Sequence, residues 1–286
     1  MSTFPWSALV TNLWVTGAAT LAVMVAAWAV GVWVRGGRHD GVDVVWGLGF
    51  VVVGLTTLAL SAGDGDGWRR LLVTALTSVW GLRLAGHIYR RNRGHDEDPR
   101  YVEMLDKAPG NPNVYALRKV YLTQGVVLWL VSLPVQLAQY GHGDTLLGET
   151  LFGGAEVVAG LGVLAWLVGF VFETVGDAQL AAFKADPANR GQVMDRGLWH
   201  YTRHPNYFGD ACVWWGLTLL ALHHAPGLIS LVSAAVMTFL LAKGTGAKLL
   251  ESTIGNRRPG YADYIARTSG FIPLPPKTRT VREDRG

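Results

Sequence analysis

Four long stretches of this chain contain no Asp, Glu, Lys or Arg: residues 1–34, 120–143, 157–172 and 211–242. Uncharged apolar runs near or above about 18 residues are long enough to cross a bilayer as helices, and a soluble domain has no use for several of them. Composition agrees. Only 16% of the residues are charged, against about 25% in a typical soluble domain. A soluble globular enzyme is excluded, and the expected fold class is all-α, a polytopic membrane protein of about seven transmembrane helices. The opening segment lacks a basic region before its apolar core, so it reads as a retained first span rather than a removed signal peptide. The lone cysteine, Cys212, excludes an intramolecular disulfide framework and any Cys-based zinc site.

Apolar windows place spans at about 11–34, 43–62, 70–88, 119–140, 155–174, 209–223 and 226–243. Pro226 and Gly227 break the chain between the last two. With the N-terminus outside, 22 of the 25 Lys and Arg fall in inner segments, only Arg69 and Arg70 fall outside, and Arg83 lies within a span. That asymmetry follows the positive-inside rule and puts the C-terminus in the cytoplasm. It also accounts for the net charge of +4 through topology, so no nucleic-acid partner is expected. The long polar inner segments 89–118, 174–208 and 244–286 are where chemistry is expected. Residues 1–275 read as one integral membrane domain, with cofactor binding in about 155–275 and a flexible charged tail at 276–286.

The densest polar cluster runs from Arg196 to Asp210. Arg203 and His204 supply cationic or hydrogen-bonding heads, Pro205 stiffens the turn, and Asn206 and Tyr207 offer donors and acceptors suited to phosphate, ribose or carboxylate. The alternative is an aromatic and basic belt anchoring the span at the interface. Upstream, Glu173, Asp177 and Lys184 are spaced four and seven apart, so a helix carries them on one face. They either hold a ribose hydroxyl or nicotinamide amide with Lys184 turned to phosphate, or form a solvated helix end. Lys243, Lys248, Glu251, Tyr261 and Tyr264 are further candidates to close such a pocket. At the other end of the chain, Asp43 and Arg83 are ionisable residues at or within spans, where charge is costly and function is the default hypothesis. Asp43 as a helix cap and an Asp43–Arg83 structural ion pair remain open alternatives. Gln124 and Glu156 are weaker versions of the same signal.

Two motifs fail their context tests. Gly160 to Ala165 matches a dinucleotide fingerprint but follows no strand, and instead suits close helix packing. Residues 244–248 lack the ending of a phosphate loop. His223 and His224 are at most two ligands, so no metal is expected.

The runs Asp43-Val-Val-Trp-Gly-Leu-Gly, Trp80-Gly-Leu-Arg83 and Asp96-Glu-Asp-Pro-Arg-Tyr101, the set Asp177, Gln179, Leu180, Phe183 and Lys184, and the stretch from Gly197 through Arg203-His-Pro-Asn-Tyr-Phe-Gly209 together resemble the bacterial DUF1295 family. That family is similar to the C-terminal part of the steroid 5-alpha-reductases. The Arg-His-Pro-Asn-Tyr stretch also resembles sterol C14 reductases and isoprenylcysteine carboxyl methyltransferases. The resemblance implies a membrane oxidoreductase that binds NADPH in a cytoplasm-facing pocket and reduces a carbon–carbon double bond conjugated to a carbonyl in a steroid-like or other lipid. It further implies cofactor contacts from Asp177, Asn206 and Asp210, a lipid-site wall from Trp214, and Lys184 and Lys243 in the place of arginines. The reductases' Gln-Glu pair is absent, with Asp43 the nearest counterpart, and Trp80 best matches their catalytic tyrosine. In this reading Asp43 and Arg83 are catalytic, Trp80 and Trp214 line the substrate, and Asp177, Lys184, Arg203, His204, Asn206, Tyr207, Asp210 and Lys243 hold the cofactor. The alternatives are an S-adenosylmethionine-dependent methyltransferase and a non-catalytic lipid-binding protein. The expected location is the inner (plasma) membrane. Reporter fusions after Gly141 and after Arg285 test the orientation: a periplasm-active reporter is expected to work at Gly141 and a cytoplasm-active one at Arg285, and the reverse pattern rejects it.

Overall fold

A computed structural model describes residues 4–142, 154–244, 251 and 259–277. Lys248 and residues 278–286 of the expected tail lie outside the described residues. The described chain is helical, and its only ladder contacts are two isolated bridges, Gly65 with Gly141 and Thr202 with Ser269. In order, α1 is Trp6–Ala29, continued by a π-helical turn at Val30–Val34, α2 is Val42–Leu60, α3 is Gly67–Asn92, α4 is Pro99–Asp106 and α5 is Pro112–Ala116. After a second π-helical stretch at Leu117–Leu122 come α6, Thr123–Val131, and α7, Leu133–Leu137. Beyond these lie α8, Ala155–Ala185, α9, Pro205–Ala221, α10, Ser230–Ala242, and α11, Tyr261–Arg267.

Among the described residues, five segments are long and apolar enough to cross a membrane: Trp6–Val34, Val42–Leu60, Gly67–Asn92, Glu156–Ala185 and Ala225–Ala242. The two other expected spans are helical in different ways. The window at 119–140 is interrupted after Val131, because Pro134 has no N–H to give to the Leu130 carbonyl. That carbonyl is taken instead by the Ser233 hydroxyl at 2.7 Å. The window at 209–223 becomes α9, which has 17 residues. Burial is inverted relative to a soluble protein. Trp14 and Trp33 are 78% and 75% exposed while Asn12, Thr16 and Gln136 are fully buried, the pattern that a lipid solvent selects.

The chain divides into two compact units, Met1–Gly160 with Leu217–Ser233, and Leu161–Gly216 with Ala234–Gly286. In the first unit α2 packs on α3 where two glycines meet. A Cβ on Gly81 would stand 2.5 Å from the Gly47 carbonyl oxygen, and one on Gly47 would stand 2.9 Å from the Ala85 nitrogen. Gln136 ties α7 to α1, its side-chain oxygen accepting from Asn12 at 3.1 Å and from Thr16 at 2.7 Å. Each such bond satisfies groups that lipid cannot.

In the second unit α8 and α9 touch along a seam of glycines. A Cβ on Gly216 would lie 2.6 Å from the Gly162 oxygen, one on Gly169 2.6 Å from the Val213 nitrogen, and one on Gly209 2.5 Å from both the Glu173 nitrogen and the Gly169 oxygen. At the end of the seam, Gly176 faces Pro205 and the Asn206 nitrogen at 3.2 Å. Gly162, from the rejected dinucleotide pattern, is thus a packing glycine, whereas Gly160 has open space around it. Overpacking a close contact costs about 1–3 kcal/mol. Gly209→Ala is therefore expected to lower the thermal unfolding midpoint in detergent, and Gly160→Ala to leave it unchanged or slightly raised. Equal midpoints for the two variants would remove the seam from the account.

Candidate functional site

The seam determines which polar groups stand together in the second unit. Glu173 and Asp177, one turn apart on α8, are 3% and 8% exposed, and Asp210 on α9 is 9% exposed. Lys184, seven residues on from Asp177, is exposed. Asn206 donates from Nδ2 to Asp177 Oδ1 at 3.1 Å. Its own Oδ1 is buried and has no hydrogen-bond partner among the described residues. A buried acceptor of this kind carries a free-energy cost until something donates to it. Trp214, on the same helix, is fully buried, and Lys243 is exposed just after α10.

The segment before α9 is folded onto the end of α8. Gly197 takes φ +59, and a Cβ there would come 2.7 Å from Gln179 Cδ, so only glycine fits beside that amide. Gln179 Oε1 accepts from the Leu198 N–H at 3.0 Å, and the Trp199 indole donates to the Gly176 carbonyl at 3.0 Å. Trp199 also packs with Phe183, Met194 and Leu180. These contacts explain much of the recognisable run at 197–209 as architecture that brings Asn206 to Asp177.

Arg203 and His204 converge on Glu251. Arg203 Nε and Nη2 reach its two carboxylate oxygens at 2.7 and 3.3 Å, and His204 Nε2 lies 2.9 Å from Oε1. The remaining Arg203 amino group donates to the carbonyls of Thr268 at 2.6 Å and Ile265 at 3.2 Å. Tyr207 lies parallel to the His204 ring at 5.4 Å. Tyr264, on α11, donates to the Trp199 carbonyl at 2.5 Å. Arg203 therefore fastens the segment after α10 to the start of α9, and its guanidinium is largely committed to protein groups. Burial opposes a charge on Glu251, but the hydrogen bonds from His204 and Arg203 together with the Arg203 charge outweigh it and pull the carboxyl down to about 2.

The first unit holds the other expected residues. Asp43, in the first turn of α2, accepts from the Tyr101 hydroxyl at 2.7 Å and from Arg100 at 3.4 Å. Arg100 is itself bound to Asp98 at 2.8 Å, which holds the Asp98 carboxyl below its usual range. Burial first, and then the neighbouring Asp43 carboxylate, push the Tyr101 phenol well above its ordinary range, so it stays protonated. Gln124, from the span before α7, accepts from the Trp46 indole at 2.5 Å. Trp80 is fully buried against Phe50, their rings 5.5 Å apart, and Arg83 is half-buried one turn further along α3.

Tyr101 is a group that sequence reasoning does not single out. It ends one of the recognisable runs, but no spacing rule links a residue at 101 to one at 43. Glu97 escapes in the same way: its carboxylate accepts from the backbone N–H groups of His39 and Asp40 at 2.8 Å each. Among the described residues no three His, Cys, Asp or Glu side chains are grouped to hold a metal ion.

Compared with known proteins, residues 27–268 match a family profile described as "Protein of unknown function (DUF1295)". An uncharacterized protein of Schizosaccharomyces pombe, C594.04c, is 24% identical over 271 residues, which cover 86% of this chain and 75% of that protein. No solved structure matches the chain.

The depressed Glu251 carboxyl makes a stability contribution with a definite sign. It is complete above the ordinary value of 4.5 and is lost as pH falls through the folded value near 2. Between those limits the unfolding midpoint of the protein is expected to fall more steeply with acid than that of Glu251→Gln. Parallel curves for the two proteins would show that the clamp contributes nothing.

Proposed function

The chain belongs to the DUF1295 family, and we propose that it is an NADPH-dependent membrane oxidoreductase reducing a carbon–carbon double bond conjugated to a carbonyl in a steroid-like or other lipid. The observation that carries this reading is the Asp177–Asn206 pair. Two buried groups on packed helices offer a carboxylate and a partnerless amide oxygen, which suit the hydroxyls of a ribose or the N–H of a carboxamide. In this reading Asp177, Asn206 and Asp210 hold the nucleoside and Lys184 and Lys243 attend its phosphates, while Arg203 and His204, bound to Glu251, and Tyr207, stacked on His204, keep that end of the site in place. The dinucleotide supplies a hydride when bound. Trp214 of the second unit and, separately, Trp80 of the first are assigned as apolar surfaces for the lipid.

Hydride addition to an enone builds negative charge on the carbonyl oxygen, which calls for a proton donor or a fixed cation. Tyr101 donates its hydrogen bond to Asp43, so the carboxylate positions the phenol; in this reading the phenol proton passes to the carbonyl oxygen, and the phenolate left beside Arg100 is reprotonated from water. Arg83 is assigned to the developing enolate. The protein is proposed to cross the inner (plasma) membrane seven times, N-terminus outside and C-terminus in the cytoplasm. The Lys and Arg asymmetry supports that orientation.

A second reading, an S-adenosylmethionine-dependent methyltransferase, has one observation in its favour. Glu173, Asp177 and Asp210 are three buried carboxylates in one unit, and such a set suits a cationic cofactor. Calorimetric titration of the purified protein separates the two. Binding of NADPH, weakened at least about tenfold in Asn206→Ala, is the expected result, equivalent to roughly 1.4 kcal/mol. Binding of S-adenosylmethionine alone transfers the assignment, and a response to neither favours a non-catalytic lipid-binding protein. With an active substrate from a panel of enone steroids, sterols and polyprenyl lipids, Asp43→Asn and Arg83→Met should each slow NADPH oxidation at least about tenfold with cofactor affinity nearly unchanged. Full turnover in either removes that residue from the mechanism.

A further inference from the structure

The loop that extends beyond α11 borders an open cavity of about 300 Å³. Its shape is set by backbone bonds. Arg203 N–H donates to Ser269 at 2.9 Å, Leu274 N–H to Tyr201 at 3.0 Å, and Lys277 N–H to Arg267 at 2.9 Å, which closes residues 267–277 into a ring. The Thr202 hydroxyl adds a bond to the Phe271 carbonyl at 2.9 Å. Arg203, Arg267 and Lys277 line this cavity, with Thr268, Ser269 and Gly270 between them, and the rest of the lining is aliphatic. Among the described residues, no Asp or Glu lines it.

Arg203 and Arg267 each have a carboxylate partner outside the lining, so what the space offers an anion is the Lys277 ammonium together with the field of the two held guanidinium groups. Two further observations point to a ligand. Thr268 is 4% exposed, and its hydroxyl has no hydrogen-bond partner among the described residues. Gly270 leaves open the place where a Cβ would stand 3.1 Å from Arg203 Nη2. The carboxylates that touch two of the cations do so away from the lining, Glu251 on Arg203 and Asp195 on Arg267, and they hold the guanidinium groups in position.

We propose that this loop is a binding site for a phosphomonoester dianion, taken by Lys277 and Arg267 with the Thr268 hydroxyl as a neutral donor and Arg203 behind it. Charge-assisted bonds from such groups to phosphate oxygens are the strong class of hydrogen bond. The inference does not rest on the nicotinamide reading. Two sources carry the same chemistry, the 2′-phosphate of a dinucleotide and the headgroup of a phosphatidate lipid.

The test uses the purified full chain and its Lys277→Gln and Thr268→Val variants, titrated with inorganic phosphate. Lys277 is exposed, so its variant folds independently of the outcome, and an unchanged unfolding midpoint verifies this. Phosphate should bind the wild type and bind Lys277→Gln about tenfold more weakly, with a smaller loss in Thr268→Val. A preference for NADPH over NADH that disappears in Lys277→Gln identifies the nucleotide as the source. Retention on phosphatidate vesicles over phosphatidylcholine vesicles, lost in Lys277→Gln, identifies the lipid. No phosphate binding by the wild type, or equal binding by Lys277→Gln, overturns the site. NADPH binding that persists unchanged in both variants leaves the nicotinamide reading standing whichever way the phosphate titration falls.

Discussion

In a lipid solvent no burial of apolar surface drives one helix onto another, so association rests on close packing and on polar groups that lipid cannot satisfy. The contact between α8 and α9 is of that kind. Gly162, Gly169 and Gly176 recur every seven residues on one helix, and Gly209 and Gly216 answer them on the other with the same spacing. Backbone therefore lies against backbone, and a methyl group at Gly209 would overlap two atoms of α8. Close approach has a chemical consequence. With the helices this near, Asn206 reaches Asp177, and Glu173 and Asp210 are withdrawn from solvent on the two helices that meet there.

The first unit solves the same problem with Gly47 and Gly81, and again the packing glycines adjoin the polar residues. Asp43 begins the helix that contains Gly47, and Arg83 lies two residues beyond Gly81. Runs that read as chemical motifs are in good part helix-packing motifs, and the candidate functional groups are carried at their ends. Arg203 is a second instance. A basic residue in a polar run suggests phosphate, yet its four donated hydrogen bonds go to Glu251 and to two carbonyls after α10. Its first task is to hold the chain, and the cavity behind it is a consequence of that hold.

The helical class and the apolar segments were legible because hydropathy over about 18 residues is a local property that lipid enforces strongly. The shared face of Glu173, Asp177 and Lys184 was legible for the same reason, since a helix converts spacing into direction. Local reasoning reached less far where a single residue alters the backbone. Pro134 interrupts an otherwise ordinary apolar window, and it does so tolerably because Ser233, about a hundred residues away, takes the carbonyl it leaves open. The partners of Asp43 and of Arg203 were illegible, because Tyr101 and Glu251 are joined to them only through the folded chain. Charge counting found the residues that need partners and could not assign them.

The glycine seam is proposed to build a nucleotide-accepting pair from Asp177 and Asn206. The most direct test is an experimentally determined structure of the protein prepared with saturating NADPH. The nicotinamide nucleoside is expected within hydrogen-bond distance of Asp177 and of the Asn206 amide oxygen, with Gly169 and Gly209 still in contact. A dinucleotide bound elsewhere in the chain, with Asn206 Oδ1 satisfied by another protein group, would contradict it.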